Sequence, residues 1–257
     1  MGKPYTILAQ IYDELMAVVD YDRWVSYLQD LMDHYTYYPR SILDLACGTG
    51  NMAHRLAGLG FKVWGVDLSP DMIQQAESKK EDPQNPHFIQ GDMRSFSLPE
   101  PVDMVISLYD SVNYLLEPAD VEQMAVRVRK VLRPGGLFIF DFNTRLRIRK
   151  ISSGVHLFEG SNYSCFWEDR VDPDRDRWQV ELTLFLRDVD NNFRRYKERH
   201  VEQGYGKKEM VELMEKAGLI VEDVFRAYSI AAGKEDDERL FLISRKPPRD
   251  KTARKPQ

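Results

Sequence analysis

The first half of the chain alternates short apolar runs with glycine-rich and acidic turns. The apolar runs at 42–45, 61–67, 87–93, 102–108 and 137–141 predict five strands. Apolar residues at helical spacing predict helices over 71–80, where Ser69 and Pro70 form a start signal, and over 119–131. A further helix follows the first strand, with Met52, Ala53, Leu56 and Ala57 on its inner face. Strands that alternate with helices indicate an α/β fold with a parallel sheet.

The two ends of the chain have different patterns. Residues 1–38 show helical periodicity in two pieces, which are lined by Ile7, Ile11, Leu15 and Val18 and by Trp24, Leu28, Leu31 and Tyr35. We expect this segment to fold across the carboxyl edge of the sheet as a lid. A helix over 207–217 and an antiparallel hairpin over 219–230 and 239–245 complete a core made of 39–144 and 205–246. The Pro-rich and basic tail at 247–257 is expected to be disordered.

Residues 145–204 interrupt this core. Trp178, Val180, Leu182, Leu184 and Leu186 alternate for five steps, which is typical of a half-buried strand. A turn signal at 190–192 leads to a partner strand over 193–201, and 161–170 is a third candidate strand. The pattern predicts an antiparallel β flap, inserted after the fifth strand, that covers a substrate cleft.

The turn after the first strand contains Gly48 and Gly50 and opens a helix. Glycine permits a sharp turn and the close approach of a ligand, and a helix N-terminus offers free N–H groups. Open α/β sheets bind nucleoside-containing cofactors at this place. The glycines alone also fit a dinucleotide fingerprint, so they leave the cofactor open. Asp44, Asp67 and Asp92 end three consecutive strands, where they can accept hydrogen bonds from cofactor amino and hydroxyl groups.

This order of motifs resembles the class I S-adenosylmethionine-dependent methyltransferases. Residues 44–50 match their first motif, Asp67 their ribose acid, Asp92 their adenine contact and residues 132–136 their late turn. The resemblance covers roughly 40–145 and the C-terminal helix and hairpin. It implies a Rossmann-like, seven-stranded, mostly parallel sheet with a C-terminal antiparallel hairpin. It also implies S-adenosyl-L-methionine as cofactor, with contacts from Tyr12, Asp44, Ala46, Cys47, Gly48, Gly50, Asp67, Leu68, Met72, Asp92, Met93 and Leu108.

Ala46 stands where many members of this family have glycine. Alanine fits wherever φ is negative, so we expect a negative φ here. The form with alanine is familiar among glycine N-methyltransferase-like and bacterial small-molecule enzymes. Within the family, the chain therefore most resembles these two groups.

The segment 108–115 leaves the fourth strand at the cleft. It lacks the Asn-Pro-Pro-Tyr or Asp-Pro-Pro-Tyr tetrad of enzymes that methylate amide or base nitrogens. The resemblance implies that Asp110 orients an amine and that Tyr109 or Asn113 hydrogen-bonds it. Trp167 is a candidate lining residue of the substrate pocket, and His200 a candidate general base over the cleft. These five residues, with His200 among them, are the candidate substrate-binding residues, and no residue is assigned as catalytic.

Three other interpretations concern single groups of residues. Trp24 resembles, with Tyr12, the lid aromatics of the family, and Arg23 could pair with the methionine carboxylate. Asp110, Asp141 and Asn143 could form a metal site as in catechol-type methyltransferases, but the last two have ordinary turn roles after a strand. No metal is therefore expected.

Composition limits the partners. The 257 residues carry a net charge of −5, which argues against a broad surface for nucleic acid, although 145–150 and the tail are basic. No apolar stretch is long enough to span a bilayer, and Cys47 and Cys165 form no disulfide framework, so a reducing cytoplasm is expected. We predict a methyltransferase for a small-molecule amine, with a homodimer as a possible assembly. An RNA methyltransferase, an NAD-dependent oxidoreductase and a non-catalytic protein of the same fold are the alternatives.

Overall fold

The structure is a computed structural model that describes residues 4–249. Residues 1–3 of the predicted lid and 250–257 of the predicted basic tail lie outside the described residues. None of the helices within 4–249 is long and apolar enough to cross a membrane.

Two β-sheets organise the described chain. The strands, in chain order, are β1 Ser41–Leu45, β2 Lys62–Asp67, β3 His87–Gln90, β4 Val102–Ser107, β5 Leu132–Asn143, β6 Gly154–Glu159, β7 Tyr163–Asp172, β8 Arg177–Arg187, β9 Phe193–Gln203, β10 Ile220–Arg226 and β11 Arg239–Arg245. The larger sheet has the order β10-β11-β5-β4-β1-β2-β3, and only β11 runs antiparallel to its neighbours. The predicted seven-stranded, mostly parallel sheet with a terminal hairpin is confirmed.

Helices cover both faces of this sheet. They are α1 Tyr12–Leu15, α2 Tyr21–His34, α3 Asn51–Gly58, α4 Pro70–Ser78, α5 Pro118–Val131, α6 Arg145–Lys150 and α7 Lys207–Lys216. Successive residues of β1 point to opposite faces, so Ile42 packs with α2 and α3 while Leu43 packs with α5 and α7. The strand is buried at every position, which explains its uninterrupted apolar character.

The start of α4 follows its sequence signal. The Ser69 hydroxyl accepts a hydrogen bond from the Met72 N–H at 3.2 Å, and Pro70 occupies the first helical position. Both features satisfy the open end of a helix without a conformational penalty. The helix therefore begins at the end of β2, next to the predicted cofactor turn.

Several boundaries differ from the sequence prediction. The strand β3 ends at Gln90, three residues earlier than expected, so Asp92 follows the strand and does not end it. The turn expected at 132–136 belongs to β5. Val102 of β4 pairs with Leu132, and Met104, two residues later, pairs with Leu137. The residues of β5 between these two pairs therefore form a bulge. The strand β10 ends at Arg226, four residues earlier than expected. Val18, expected on a buried helix face, is 92% exposed because the helical turn α1 ends at Leu15.

The four-stranded sheet β6-β7-β8-β9 is antiparallel and corresponds to the predicted flap. Its strand β6 was not predicted, because five of its six residues are exposed and no buried alternation marks it. Leu8 and Ile11 of the N-terminal segment pack on Cys165 and Leu184 of this sheet. The N-terminal segment and the inserted sheet thus share one small apolar core.

Candidate active site

The turn between β1 and α3 is built from left-handed backbone. The N–H groups of Ala46 and Cys47 donate to the Val66 carbonyl of β2 at 2.7 and 3.0 Å, which ties the turn to the neighbouring strand. Ala46, Gly48 and Gly50 have φ values of 63°, 54° and 78°. The expected negative φ at Ala46 is wrong. An alanine in this region costs about 1 kcal/mol relative to ordinary backbone, so the turn is strained at that position.

The two glycines serve different purposes. A Cβ added to Gly50 would lie 2.8 Å from the Phe88 Cζ atom and 3.1 Å from the Ala76 Cβ, so this glycine lets α3 begin against its neighbours. A Cβ on Gly48 would meet nothing within 4 Å. The open face of the turn is therefore at Gly48, and that is where a ligand can approach the backbone.

Two carboxylates lie under this turn. Asp44 is 3% exposed, and its Oδ2 has no hydrogen-bond partner among residues 4–249. Burial and the nearby Asp67 carboxylate raise the pKa of Asp44 to about 7, against a smaller opposing effect of the Ala53 N–H. Asp67 accepts from the N–H groups of Gly48 at 2.8 Å and Ser69 at 2.9 Å, yet burial still raises its pKa. The pair is short of positive charge.

Asp92 has a different environment. Arg94 donates to both of its oxygens, from Nε to Oδ1 at 2.9 Å and from Nη2 to Oδ2 at 2.5 Å, and also reaches Asp120 at 3.0 Å. These hydrogen bonds hold the pKa of Asp92 below its usual range. The structure places Asp92 close to Asp67, because the Gly91 N–H donates to the Asp67 carbonyl at 2.8 Å, but its carboxylate is already engaged.

The N-terminal segment is fastened to this turn at two points. Asp13 accepts from the Thr49 hydroxyl at 2.5 Å and from Lys79 Nζ at 2.6 Å. The Tyr5 carbonyl accepts from the Ser69 hydroxyl at 2.7 Å. Tyr12, between these points, lies edge-on to Tyr5 at 5.9 Å between ring centroids. The segment therefore lies across the carboxyl edge of β1 and β2.

A second group of acids lies beyond β4. Tyr109 and Asp110 both have left-handed backbone, with φ of 64° and 53°. Arg239 donates from Nη2 to Asp110 at 2.9 Å and from Nη1 to Asp141 at 2.8 Å. Asn143 Nδ2 donates to Asp110 at 2.8 Å and to Glu202 at 3.3 Å. Strain of this kind persists only where the surroundings impose it, and it occurs mostly at functional sites. We call Asp110, Asp141, Glu202 and Arg239 the acidic cluster.

The acidic cluster holds three carboxylates against one guanidinium. All three carboxylates are at most 8% exposed, and Asp141 Oδ1 has no hydrogen-bond partner within the described chain. Burial and the Asp110 charge raise the pKa of Glu202 well above its usual range, and they raise the pKa of Asp141 as well, although Arg239 opposes the shift. Fully ionised, the cluster would carry excess negative charge, and a bound cation would relieve it.

Comparisons with known proteins identify the family. The family model described as a methyltransferase domain matches residues 42–136. A putative methyltransferase of Geobacillus sp. (strain WCH70) is 32% identical over 94% of this chain and 99% of its own length. The chain is a class I S-adenosylmethionine-dependent methyltransferase. The crystal structure of such an enzyme from Clostridium acetobutylicum agrees, with 26% identity, a TM-score of 0.81 and coverage of 95% of this chain and 99% of that one.

One further relative has a more specific name. It is the dTDP-3-amino-3,4,6-trideoxy-α-D-glucopyranose N,N-dimethyltransferase of Streptomyces venezuelae. It is 31% identical over 135 residues, which are 52% of this chain and 56% of the relative. The similarity to this enzyme covers about half of each chain. The NAD-dependent alternative does not stand, since S-adenosylmethionine is the cofactor of the family.

The remaining predicted cofactor contacts of the methyltransferase are spread around the turn. Met72 and Leu108 are buried at 1% and 5% exposure, and Met93 is partly buried against the core. Cys47 lies within the turn, and its Sγ would be 2.9 Å from a Cβ on Gly65. Leu68 is 66% exposed at the end of β2. Leu68 is thus far more exposed than Met72 and Leu108.

Two predicted acceptor residues make other contacts. The Asn113 amide donates to the carbonyls of Asn143 and Gln203 at 2.9 and 2.7 Å and accepts from the Asn143 N–H at 2.9 Å, so it bridges backbone segments. Trp167 Nε1 donates to Asp169 at 2.8 Å inside the flap. Neither side chain has a hydrogen bond to the acidic cluster within the described residues.

Two residues of the predicted lid, and the residues considered for a metal site, contact other side chains. Trp24 packs against Tyr109 and Phe241, and the Arg23 guanidinium lies 4.3 Å from the centre of the Tyr228 ring. In residues 4–249 no group of three His, Cys, Asp or Glu side chains is arranged to hold a metal ion. Asp110 and Asp141, considered for such a site, are bridged by the Arg239 guanidinium instead.

Sequence reasoning missed Arg239, Glu198 and Glu202 as site residues. Glu198 and Glu202 lie two residues before and after His200, so strand periodicity places all three on one face. Arg239 begins β11 and pairs in register with Asn143 of β5. The predicted hairpin beside the fifth strand could have brought Arg239 to the cluster.

Proposed function

We propose that this methyltransferase transfers the methyl group of S-adenosylmethionine to an amine nitrogen of a small molecule. The observation that carries the proposal is the acidic cluster. Its Arg239 guanidinium pairs with Asp110 and Asp141, while the third buried carboxylate, Glu202, is joined to Asp110 only through the Asn143 amide. A protonated amine is a cation that hydrogen-bonds carboxylates, and its binding would compensate the excess charge.

The glycine turn is proposed as the cofactor site. The unpartnered Oδ2 of Asp44 and the open space at Gly48 fit a cationic ligand that lies against the backbone. Asp67 and the N-terminal segment with Tyr12 border the same space. The bound cofactor supplies a methyl group on a positively charged sulfur. The protein then contributes mainly by holding donor and acceptor at reacting distance and by excluding water.

The acidic cluster is proposed as the acceptor site because it adjoins the cofactor side. Tyr109 and Asp110 follow β4, which is the strand next to β1 in the sheet. Trp24 of the N-terminal segment packs against the Tyr109 ring, with 5.7 Å between ring centroids, so this segment also borders the cluster. Asp110 is therefore the carboxylate through which we expect an acceptor ammonium to be oriented toward the methyl group.

The named relative supports the choice of nitrogen. The Streptomyces venezuelae enzyme is, by its name, an N,N-dimethyltransferase of an amino sugar, and its similarity covers half of this chain. An amino sugar is a small molecule whose amine is protonated at neutral pH. We infer the chemical class of the acceptor from it and leave the sugar open.

No separate observation favours RNA. Arg145 and Arg149 pair with Asp176, and Arg147 and Lys150 pair with Glu238, so the basic residues of α6 are largely neutralised. A phosphate-binding surface needs such groups free to replace counterions.

The experiment is a turnover assay with matched acceptors. Amino sugars and simple amines are compared with analogues that carry a hydroxyl in place of the amine, and S-adenosylhomocysteine is measured as product. We expect turnover of amines, no turnover of hydroxyl analogues, and a loss of about 100-fold in kcat/KM for Asp110→Asn, since a charge-assisted hydrogen bond contributes about 1.5–3 kcal/mol. Glu215→Gln, an exposed carboxylate on α7, is the matched control and should retain activity. Equal turnover of hydroxyl analogues would refute the proposal.

A further inference from the structure

A hydrogen-bonded chain of side chains runs from the N-terminal segment into the flap, next to the acidic cluster. We propose that Tyr5, Tyr114 and His200 take up the proton that the acceptor amine must lose, and that Glu198 assembles this path when the N-terminal segment closes. The inference rests on the proposed amine acceptor and adds the fate of its proton.

The contacts form an uninterrupted series. The hydroxyls of Tyr5 and Tyr114 are 2.5 Å apart, and the Tyr114 hydroxyl is 3.2 Å from His200 Nδ1. The Tyr5 ring lies edge-on to the His200 ring, with 4.7 Å between centroids. On the other side of the ring, His200 Nε2 has no hydrogen-bond partner within residues 4–249, and it lies 3.4 Å from Glu198 Oε2, at ion-pair distance. His200 is 5% exposed and Glu198 is 1% exposed, so this end of the series is shielded from solvent, while Tyr5 and Tyr114 are half-buried.

Glu198 connects this series to the N-terminal segment. Its carboxylate accepts from the backbone N–H groups of Tyr5 and Leu8 at 2.9 Å, and also from that of Ile7. Burial alone would raise the pKa of Glu198, but His200 and the N–H groups of Leu8 and Ile7 lower it below its usual range. Glu198 therefore stays ionised, and it can stabilise a positive charge on the adjacent imidazole.

The series lies beside the proposed acceptor. Tyr114 closes the short 3-10 helix Ser111–Tyr114 that follows Asp110, and His200 precedes Glu202 by two residues on the same face of β9. Burial first, and then the Glu202 and Asp110 charges, raise the pKa of Tyr114 well above its usual range. The tyrosine hydroxyl therefore remains protonated at rest and passes a proton on without holding a negative charge.

The chemistry balances without a further reactant. The bound ammonium gives a proton to the Tyr5 oxygen, Tyr5 gives its own proton to Tyr114, and Tyr114 gives its own to His200 Nδ1. The result is a neutral amine and an imidazolium that faces Glu198. The amine lone pair can then attack the methyl carbon as the carbon–sulfur bond breaks and its electrons pass to sulfur. The titratable groups around His200 are Tyr5, Tyr114, Glu198 and Glu202.

This arrangement makes lid closure part of the site. Tyr5 belongs to the N-terminal segment, whereas Tyr114 follows β4 of the larger sheet and His200 lies on β9 of the flap. The path is complete only while Glu198 holds the backbone of 5–8, so an open segment would leave the acceptor protonated and unreactive.

The test is the pH dependence of kcat for His200→Gln and Tyr114→Phe with an amine acceptor. We expect wild-type kcat to level off near neutral pH. We expect the variants to be at least about 100-fold slower at pH 7 and to rise about tenfold per pH unit toward high pH, as solvent base replaces the missing group. His34→Gln, an exposed histidine at the end of α2, is the control. Variants that keep the wild-type profile would overturn the inference.

A second measurement does not depend on turnover. In the ligand-free protein, Glu198→Gln should speed proteolytic cleavage within residues 4–15, because the backbone N–H groups of this segment lose their charged acceptor. Unchanged cleavage would overturn the role of Glu198. If wild-type enzyme methylates no amine, both the proposed function and this inference fall. If it does and only the variant results disagree, the inference alone falls.

Discussion

The pH dependence of cofactor binding follows from the environment of Asp44. Its pKa of about 7 in the ligand-free protein reflects burial and the nearby Asp67 charge. A ligand ammonium or hydroxyl that meets the free Oδ2 of Asp44 would favour the ionised form. Binding should therefore release a proton, and affinity should fall as the pH falls below 7.

The magnitude can be worked from that pKa. A group with a pKa of about 7 is about half ionised at pH 7 and about 3% ionised at pH 5.5, so affinity should drop about 15-fold across this window, or about 1.6 kcal/mol. The pH range of this prediction ends at pH 7, because the α-amino group of the ligand titrates near pH 8 and would add its own pH dependence above that. At pH 7 the protein should release about half a proton per ligand bound.

Isothermal titration calorimetry with S-adenosylhomocysteine measures both quantities. The binding curve gives the affinity, and repeating the titration in buffers of different ionisation enthalpy gives the number of protons released. Asp44→Asn should bind more weakly at pH 7 and lose this contribution to the pH dependence, whereas the control Glu215→Gln should keep the wild-type slope. A wild-type affinity that is flat between pH 5.5 and 7, or an unchanged slope in Asp44→Asn, would refute the reasoning.

The raised pKa of Asp44 also makes the free energy of unfolding depend on pH. Because folding raises the pKa of Asp44, the ionised carboxylate opposes folding by an amount that grows from its unfolded pKa near 4 up to about pH 7 and is constant above. The stability that Asp44→Asn gains over wild type, from urea unfolding, should therefore increase by about 2–3 kcal/mol between pH 5 and pH 7. A gain that is independent of pH would contradict the assigned environment.

Three further predictions concern backbone strain and the acidic cluster. Ala46→Gly should raise the free energy of unfolding by about 1 kcal/mol, because φ is 63° there; a loss of stability would contradict the strain. Gly50→Ala should lower it by about 2 kcal/mol or more, since φ is 78° and the new Cβ meets Phe88, and a change under about 0.5 kcal/mol would show that the packing is loose. Arg239→Met should lower stability at pH 8 by about 3–5 kcal/mol and less at pH 5, where the stranded carboxylates can take up protons; denaturation curves at both pH values decide, and an equal loss at both would contradict the buried charge.

The sequence predicted those parts of the fold that depend on local pattern. The strands β1, β2 and β4 are short apolar runs, and Ser69 with Pro70 marks the start of α4. These three strands and the start of this helix could therefore be located from the local sequence pattern alone. The strand β6 could not, because it is an exposed edge strand whose residues carry no alternation. Contacts with neighbouring strands, which local pattern does not encode, specify such an edge.

In the candidate site, too, the residues with a local sequence signal could be predicted and those that depend on tertiary contacts could not. Asp44 and Asp67 could be proposed as site residues from the sequence because each lies at the end of an apolar strand next to the glycine turn. The left-handed φ of Ala46 was missed, since an alanine gives no local signal for a strained conformation. Arg239 reaches Asp110 across 129 residues of sequence, and only the pairing of β11 with β5 brings it there. Buried charge partners are a tertiary property, and one sequence does not display them.

The most direct test of the central claim is a crystal structure of the enzyme with S-adenosylhomocysteine and an amine that it methylates. The account predicts the acceptor nitrogen within hydrogen-bond distance, about 2.6–3.2 Å, of a carboxylate oxygen of Asp110 or Glu202 and facing the sulfur. An acceptor whose nitrogen points away from the acidic cluster, or an anionic group of the acceptor bound to Arg239 in its place, would contradict it.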